Sequence, residues 1–490
     1  MRARDARSPV PGPMRGLATR AMWLVLGIIG VLGLVGYSIF NQIGKLSIPV
    51  DYANDIEHFK YGSIGSDTPE GTGIPYWIWR AMPDVCPDLL PGGYASLGVV
   101  LETGMDRPIG FSKRRTGFFD SVGLNCASCH TATVRESAEG EMRYFLAASS
   151  HQLNLWDYFN FQLSCGQDPR FSSDNVMAAI DKLTELGLLE RLIYRVAIGR
   201  VRDAMADRAE KVSWIKDRPL WGPGRVDTFN PYKTLVLGWD MSGDTSIGTA
   251  DFMVVWDQKL REGLWVHWDG NNNSVAERNL SAAIGAGATP ATVDLERLAR
   301  IRDWIWQIKA PPYPFAIDRP LAENGKPFYQ QYCASCHEPG GAEFGRVVPV
   351  EQVGTDPERA RAFDARMAEG MNTIGKGYPW RFHNFRTTGG YVNDALDGAW
   401  LRAPYLHNGS VPTMADLLTP QSGRPALFYK GHDVYDKTKL GFVSDIPETK
   451  DRKFFEFDTA EKGNSNAGHS YGTDLSPADK AALIEYMKTL

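Results

Sequence analysis

Cys126-Ala-Ser-Cys-His130 recurs letter for letter at Cys333-Ala-Ser-Cys-His337. In C-x-x-C-H the two thiols add across the two vinyl groups of a haem, and their i, i+3 spacing puts both sulfurs on one face of a helical turn. The adjacent histidine then reaches the iron as a neutral imidazole. The alternatives are a thioredoxin-like redox pair and half of a zinc site. A zinc site lacks nearby paired ligands at finger spacing, and a redox pair does not explain the same histidine twice. The repeat therefore predicts two covalently bound haem c groups, attached through Cys126, Cys129, Cys333 and Cys336, with His130 and His337 as iron ligands.

Working outward, 490 residues suffice for two or three domains with substantial cores, and the composition is that of an ordinary globular protein. Residues 1–20 carry Arg2, Arg4, Arg7, Arg15 and Arg20 against one acid, Asp5. Residues 21–40 then run without a charge, about the length that spans a bilayer. The basic flank predicts a cytoplasmic N-terminus, a retained inner-membrane anchor and everything after Asn41 on the far side, in the periplasm. A cleaved signal peptide is the rival, but no A-x-A site follows. Gly27, Gly30, Gly33 and Gly36 recur every three residues, a weak hint of helix pairing.

Removing the four haem thiols leaves Cys86 and Cys165. An oxidising compartment favours joining them, two buried free thiols being the alternative. Beyond residue 20 the chain has 48 basic against 57 acidic residues, which argues against nucleic acid as a partner and suits steering of a basic redox protein.

Residues 42–125 are rich in Gly and Pro and read as loops with short helices. Lys113 to Arg115, just before the first motif, are candidates to hold a haem propionate, exposed charge being the commoner explanation. Residues 174–212 show helical periodicity and read as scaffold. Trp214, Trp221, Trp239, Trp256, Trp265 and Trp268 then crowd into 55 residues, most as core filling, one or two as walls of a haem. His267 and Trp268 are the best candidates, because Trp265-Val-His-Trp-Asp-Gly-Asn-Asn272 reads as a loop. An amphipathic helix at 295–309 is stopped by Pro311 and Pro312, which places a domain boundary near residue 317. The second module starts with a helix carrying Gly325 and Phe328 and leading into Cys333. It ends with a helix capped by Ser476-Pro477-Ala-Asp479.

These two terminal helices around C-x-x-C-H resemble a cytochrome c fold. With Val353-Gly-Thr-Asp-Pro357 and Pro404-Tyr-Leu-His-Asn-Gly-Ser410, the chain resembles the bacterial di-haem cytochrome c peroxidase superfamily. Gly-Pro-Gly-Arg225-Val-Asp, His267-Trp-Asp-Gly-Asn and Asn466-Ala-Gly-His469 look closest to its rubber-oxygenase-like branch, over roughly residues 85–490. The resemblance implies two cytochrome c-like haem domains with loop-rich insertions; with the basic flank (1–20), the transmembrane helix (21–40) and the boundary near residue 317, the expectation is a mainly α chain with haem domains at 41–317 and 318–490, its retained anchor a departure from that secreted branch. It implies a reactive haem on His130, meeting dioxygen or hydrogen peroxide beside Arg225, His267 and Trp268. It implies a relay haem on His337, fed by a redox partner protein or a quinol-linked donor. Related peroxidases hold a calcium ion between their haems, so calcium is carried as a further candidate cofactor.

For the second haem, His469 lies in a glycine-flanked loop, Ser465-Asn-Ala-Gly-His-Ser-Tyr-Gly472, that lets backbone approach a porphyrin closely. It resembles the distal histidine of that branch and is the expected sixth ligand. His407 comes second, then a methionine such as Met371 or Met414, with His383 and His432 behind. Three functions remain open: a haem oxidoreductase, a pure electron carrier with both irons six-coordinate, and a maturation enzyme oxidising a partner's side chains.

Overall fold

Ahead of the first motif the chain forms the loops and short helices its glycines and prolines suggest, Asp55–Tyr61 and Tyr76–Val85 among them, and adds a small sheet they do not announce. The computed structural model describes residues 14–44, 46–450 and 452–490. Strands Ser47–Pro49, Phe111–Thr116, Phe119–Leu124 and Ile74–Pro75 form one antiparallel sheet, in that spatial order. Phe111–Thr116 and Phe119–Leu124 make a hairpin in register Phe111 to Leu124 and Thr116 to Phe119, turned by Gly117 at φ +59°. One of its charges, Arg114, faces inward, while Arg115 is exposed. Arg114 is buried and donates to Asp67 Oδ1 (2.9 Å) and Ser63 Oγ (2.8 Å), while Lys113 Nζ donates to Asp106 Oδ2 (2.6 Å). Both side chains are thus engaged within the sheet's own surroundings.

A mainly α chain of two cytochrome c-like domains is therefore not what the structure shows. Strand makes up 13% of it, and the first C-x-x-C-H motif hangs from a sheet. The expected anchor at 21–40 is corrected as well. The helix Met14–Gly44 forms there, yet among the described residues no helix is long and apolar enough to cross a membrane. Gly27, Gly30, Gly33 and Gly36 leave four positions of that helix without an apolar side chain. Most of the basic flank lies outside the described residues.

In the second half, the helices Arg319–Tyr332 and Pro477–Met487 cross closely. Gly325 permits this, since a Cβ there would sit 2.0 Å from the Ala482 carbonyl oxygen, and Tyr329 stacks near Tyr486 at 5.2 Å. Ser476 Oγ accepts from the Asp479 amide (3.2 Å), closing the N-terminus of the last helix. One apolar cluster runs from Phe59 to Met487, continuous across residue 317. A second packs Trp79, Phe111, Tyr158 and Phe161 around the Cys86–Cys165 disulfide.

Candidate functional site

The strand Phe119–Leu124 delivers the chain to Asn125, which fixes the first motif. Asn125 Oδ1 accepts from the Ala127 amide (3.0 Å), starting the single turn Cys126–Cys129. Its Nδ2 donates to the carbonyls of Lys60 (3.2 Å) and Gly62 (2.9 Å), tying that turn to the helix Asp55–Tyr61. Gly110, at φ +93°, lets the sheet pass under the turn, for a Cβ there would lie 2.3 Å from Ser128 Cα. Burial pushes the Cys126 thiol up to about 11 and the Cys129 thiol up to about 12. Thiols so hard to ionise are ill suited to disulfide exchange, which counts against a redox-pair reading of the motif.

Both thiols and His130 border a cavity of about 340 Å³. Its walls are mostly apolar, with Trp156, Phe159, Trp221 and Phe229 among them. Trp156 and Trp221 meet edge to face at 5.3 Å. Of the six clustered tryptophans, Trp221 and Trp268 line this cavity. Trp268 Nε1 donates to the Asp251 carbonyl (2.8 Å) and so holds its ring in place. His267 lines it too, from a left-handed backbone position at φ +66°, with its Nδ1 against Asn271 Oδ1 (2.6 Å). That contact makes Nδ1 the donor and leaves Nε2 with a lone pair. Burial, helped by the Arg278 guanidinium, holds both His130 and His267 down at about 3, so both imidazoles are neutral at ordinary pH. His130 Nδ1 has no hydrogen-bond partner of good geometry among the described residues, although the Met253 carbonyl beside it favours the protonated ring.

The second motif follows directly on the helix Arg319–Tyr332, as the turn Ala334–His337. His337 Nδ1 donates to the Asp394 carbonyl (2.7 Å), which fixes the tautomer and frees Nε2 for a metal. The structure brings His469 to it, with ring centroids 6.2 Å apart. Two imidazoles on opposite faces of one metal, each bonded at about 2.0 Å, would place their centroids about 6 Å apart. The donor set and its spacing fit a haem. His469 adopts φ +48°, its amide donates to the Val353 carbonyl (2.9 Å), and Gly468 lies flat against Gly354.

Other expected residues lie elsewhere. Arg225 is buried in the strand Arg225–Asp227, donates to Asn464 Oδ1 (2.8 Å) and sits over Phe457, whereas its neighbours Val226 and Asp227 line the first cavity. His407 stacks on Tyr391 at 3.9 Å and His432 on Phe454 at 4.5 Å. Met371 borders the first cavity, not the second motif. Among the described residues no group of three or more His, Cys, Asp or Glu is arranged to hold a metal ion, so the calcium expectation finds no side-chain cluster there.

Sequence reasoning missed Arg278, Arg359 and Asn271 at the first cavity, and Asp394 and Arg424 at the second site. Arg359 comes from the C-terminal half and reaches Asp269 Oδ1 (2.9 Å) in the N-terminal half. No local pattern announces Arg359, Asp394 or Arg424, whose partners lie 45 to 90 residues away, whereas Asn271 stands four residues from His267 inside the loop at 265–272.

Two C-x-x-C-H motifs give the chain the attachment sites for haem c. Residues 390–429 match a family model described as RoxA-like, cytochrome c-like. That segment contains Asp394, which holds His337, and Arg424, which holds the His469 loop. The chain is also similar to two proteins of Sinorhizobium fredii (strain NBRC 101917 / NGR234). It is 27% identical to uncharacterized protein y4iJ over 509 aligned positions, 82% of each chain. It is 28% identical to uncharacterized protein y4iM over 288, covering 49% of this chain and 64% of that one.

Proposed function

We propose that the chain is a di-haem c-type oxidoreductase in which the two sites divide the work. The haem attached through Cys126, Cys129 and His130 meets dioxygen or hydrogen peroxide. The haem attached through Cys333, Cys336 and His337, with His469 opposite, relays electrons from a redox partner protein or a quinol-linked donor. One observation carries this reading: His337 is faced by a second imidazole at 6.2 Å, whereas among the described residues no ring contact pairs His130 with another imidazole, and the cavity of about 340 Å³ it borders would take the porphyrin.

A c-type haem supplies one-electron chemistry and, where a coordination position is open, a place for an oxygen ligand. The chain's own groups do the rest. Trp156, Phe159, Trp221 and Phe229 exclude water from the cavity. His267, kept neutral by burial and oriented by Asn271, offers Nε2 as a hydrogen-bond acceptor. Arg278 and Arg359 bring positive charge to the same walls, suited to a haem propionate or to developing anionic character. Trp268 lines both this cavity and a smaller one that Asp394, the partner of His337, also borders. The disulfide Cys86–Cys165 supports an oxidising compartment such as the periplasm.

Carbon monoxide binds only an open ferrous site, so a titration of the reduced, haem-loaded protein tests the division. One equivalent bound, lost in a variant lacking the first attachment site and kept in one lacking the second, is the expected result. Binding at the His337 haem alone would reverse the roles. The neutral imidazole of His267 in the same cavity favours a second reading, an electron carrier with both irons six-coordinate, which predicts no binding at either haem.

A further inference from the structure

Between the two sites lies a small cavity of about 30 Å³, walled by residues of both. Met253, His267 and Arg278 belong to the first site, and Arg261 and Asp394 face them. Arg261 uses every donor it has. Nε and Nη2 form a two-pronged pair with Asp394 Oδ1 (2.8 Å) and Oδ2 (3.1 Å), and Nη2 also reaches Asp397 Oδ1 (3.3 Å). Nη1 donates to the backbone carbonyls of Trp256 (3.1 Å) and Asp257 (3.2 Å). On its other side Asp394 takes Arg402 Nη1 (3.3 Å), while Arg402 Nη2 holds Asp397 (2.6 Å). The Asp394 carboxylate is therefore gripped between two guanidiniums, and the carbonyl of the same residue accepts the Nδ1–H of His337 at 2.7 Å.

A hydrogen bond at the far nitrogen of an iron-bound imidazole raises its basicity and favours the oxidised metal. Its strength depends on how firmly the accepting carbonyl is held. Here the grip comes from across the chain, 133 residues away, off a segment whose carbonyls at 256 and 257 follow Met253, the residue beside His130.

We infer that Arg261 is the positioning residue for His337: by pinning Asp394 from the first site's own segment, it sets the potential of the group His337 ligates and links it to the first site. This rests on the reading that Cys333, Cys336 and His337 hold a haem. Lysine at 261 would keep the charge and lose the two-pronged grip, which separates position from electrostatics.

The test is a potentiometric titration of the full-length, haem-loaded Arg261→Lys protein beside the wild type, with low-temperature electron paramagnetic resonance and a pyridine haemochrome count of haem per chain. The expected result is two haems per chain, a shifted low-spin signal, and a His337 haem displaced roughly tenfold toward the reduced form at fixed ambient potential, about 59 mV for one electron. The first haem should move less. Arg402→Lys, which leaves the Arg261 fork intact, should give a smaller shift. Should Arg261→Lys fail to load haem, Asp394→Asn carries the same expectation, because it weakens the grip and removes a nearby negative charge. Two haems with an unmoved potential and signal would overturn the inference. A wild-type protein with no haem at the second motif would instead overturn the reading beneath it.

Discussion

His469 occupies a backbone conformation, φ +48°, that costs a non-glycine residue on the order of 1 to 3 kcal/mol, so something must hold it there. Arg424 does so. Its guanidinium donates to the carbonyls of Thr419 (3.1 Å), Leu417 (3.2 Å), Gly468 (2.9 Å) and Asn466, fastening the loop that presents the imidazole. Replacing His469 with alanine should convert one bis-histidine, low-spin haem into a high-spin or newly ligand-accessible one. A resonance spectrum with its low-spin signal intact would sink the ligand assignment. Arg424→Ala should leave several buried carbonyls without a donor and lower stability by about 2 to 4 kcal/mol, read as a loss in chemical denaturation. Half of this arrangement is visible in the sequence. The glycines around His469 announce a close backbone approach, whereas Arg424, 45 residues earlier, carries no local mark of its role.

Among the elements, the wall of the first cavity from residue 227 to 251 is held by a carboxylate network. Asp244 accepts from the Ser246 hydroxyl (2.6 Å) and amide (2.7 Å) and from Lys233 Nζ (2.9 Å), while Asn230 Nδ2 bridges Asp227 (2.7 Å) and the Ser246 carbonyl (2.9 Å). Burial alone would raise the Asp244 carboxyl, but Ser246 and Lys233 outweigh it and hold it down at about 2. A carboxyl depressed on folding adds stability above its unfolded pKa of about 3.9, and that stability drains as pH falls toward 2. Asp244→Asn should therefore cost about 1 to 2 kcal/mol at pH 7, and the gap from wild type should close between pH 4 and 2. Melts at a series of pH values check this; a gap independent of pH would count against it. The Cys86–Cys165 bond, closing a 79-residue separation, should contribute about 4 kcal/mol, read as a lower midpoint in the double serine variant. Elements of this size were unevenly legible. The last helix shows itself through Ser476, Pro477 and Asp479, a cap written in four residues. The sheet before Cys126 does not, because its strands run only two to six residues, include Pro49 and Pro75, and bury Arg114 where alternation calls for an apolar side chain.

For the molecule as a whole, the boundary read near residue 317 marks where one helix stops and another starts, and the interior takes no notice of it. The apolar cluster from Phe59 to Met487 is continuous across it. So are two buried ion pairs, Asp251 with Lys430 (3.0 Å) and Asp269 with Arg359 (2.9 Å), and the partly buried pair Arg261 with Asp394 (2.8 Å). Lys430 and Arg359 are almost fully enclosed, so cutting the chain at 317 would strand each of them without its carboxylate. Losing one partner of a buried pair costs about 3 to 5 kcal/mol, and two such losses rival the whole stability of a domain, about 5 to 15 kcal/mol. Residues 318–490 produced alone should therefore not fold cooperatively, despite holding a complete C-x-x-C-H motif and both helices that embrace it. Supplying residues 46–317 as a separate chain should restore a single cooperative transition. A C-terminal fragment that melts sharply by itself, with His337 and His469 both bound to one haem, would show that the two halves are independent after all.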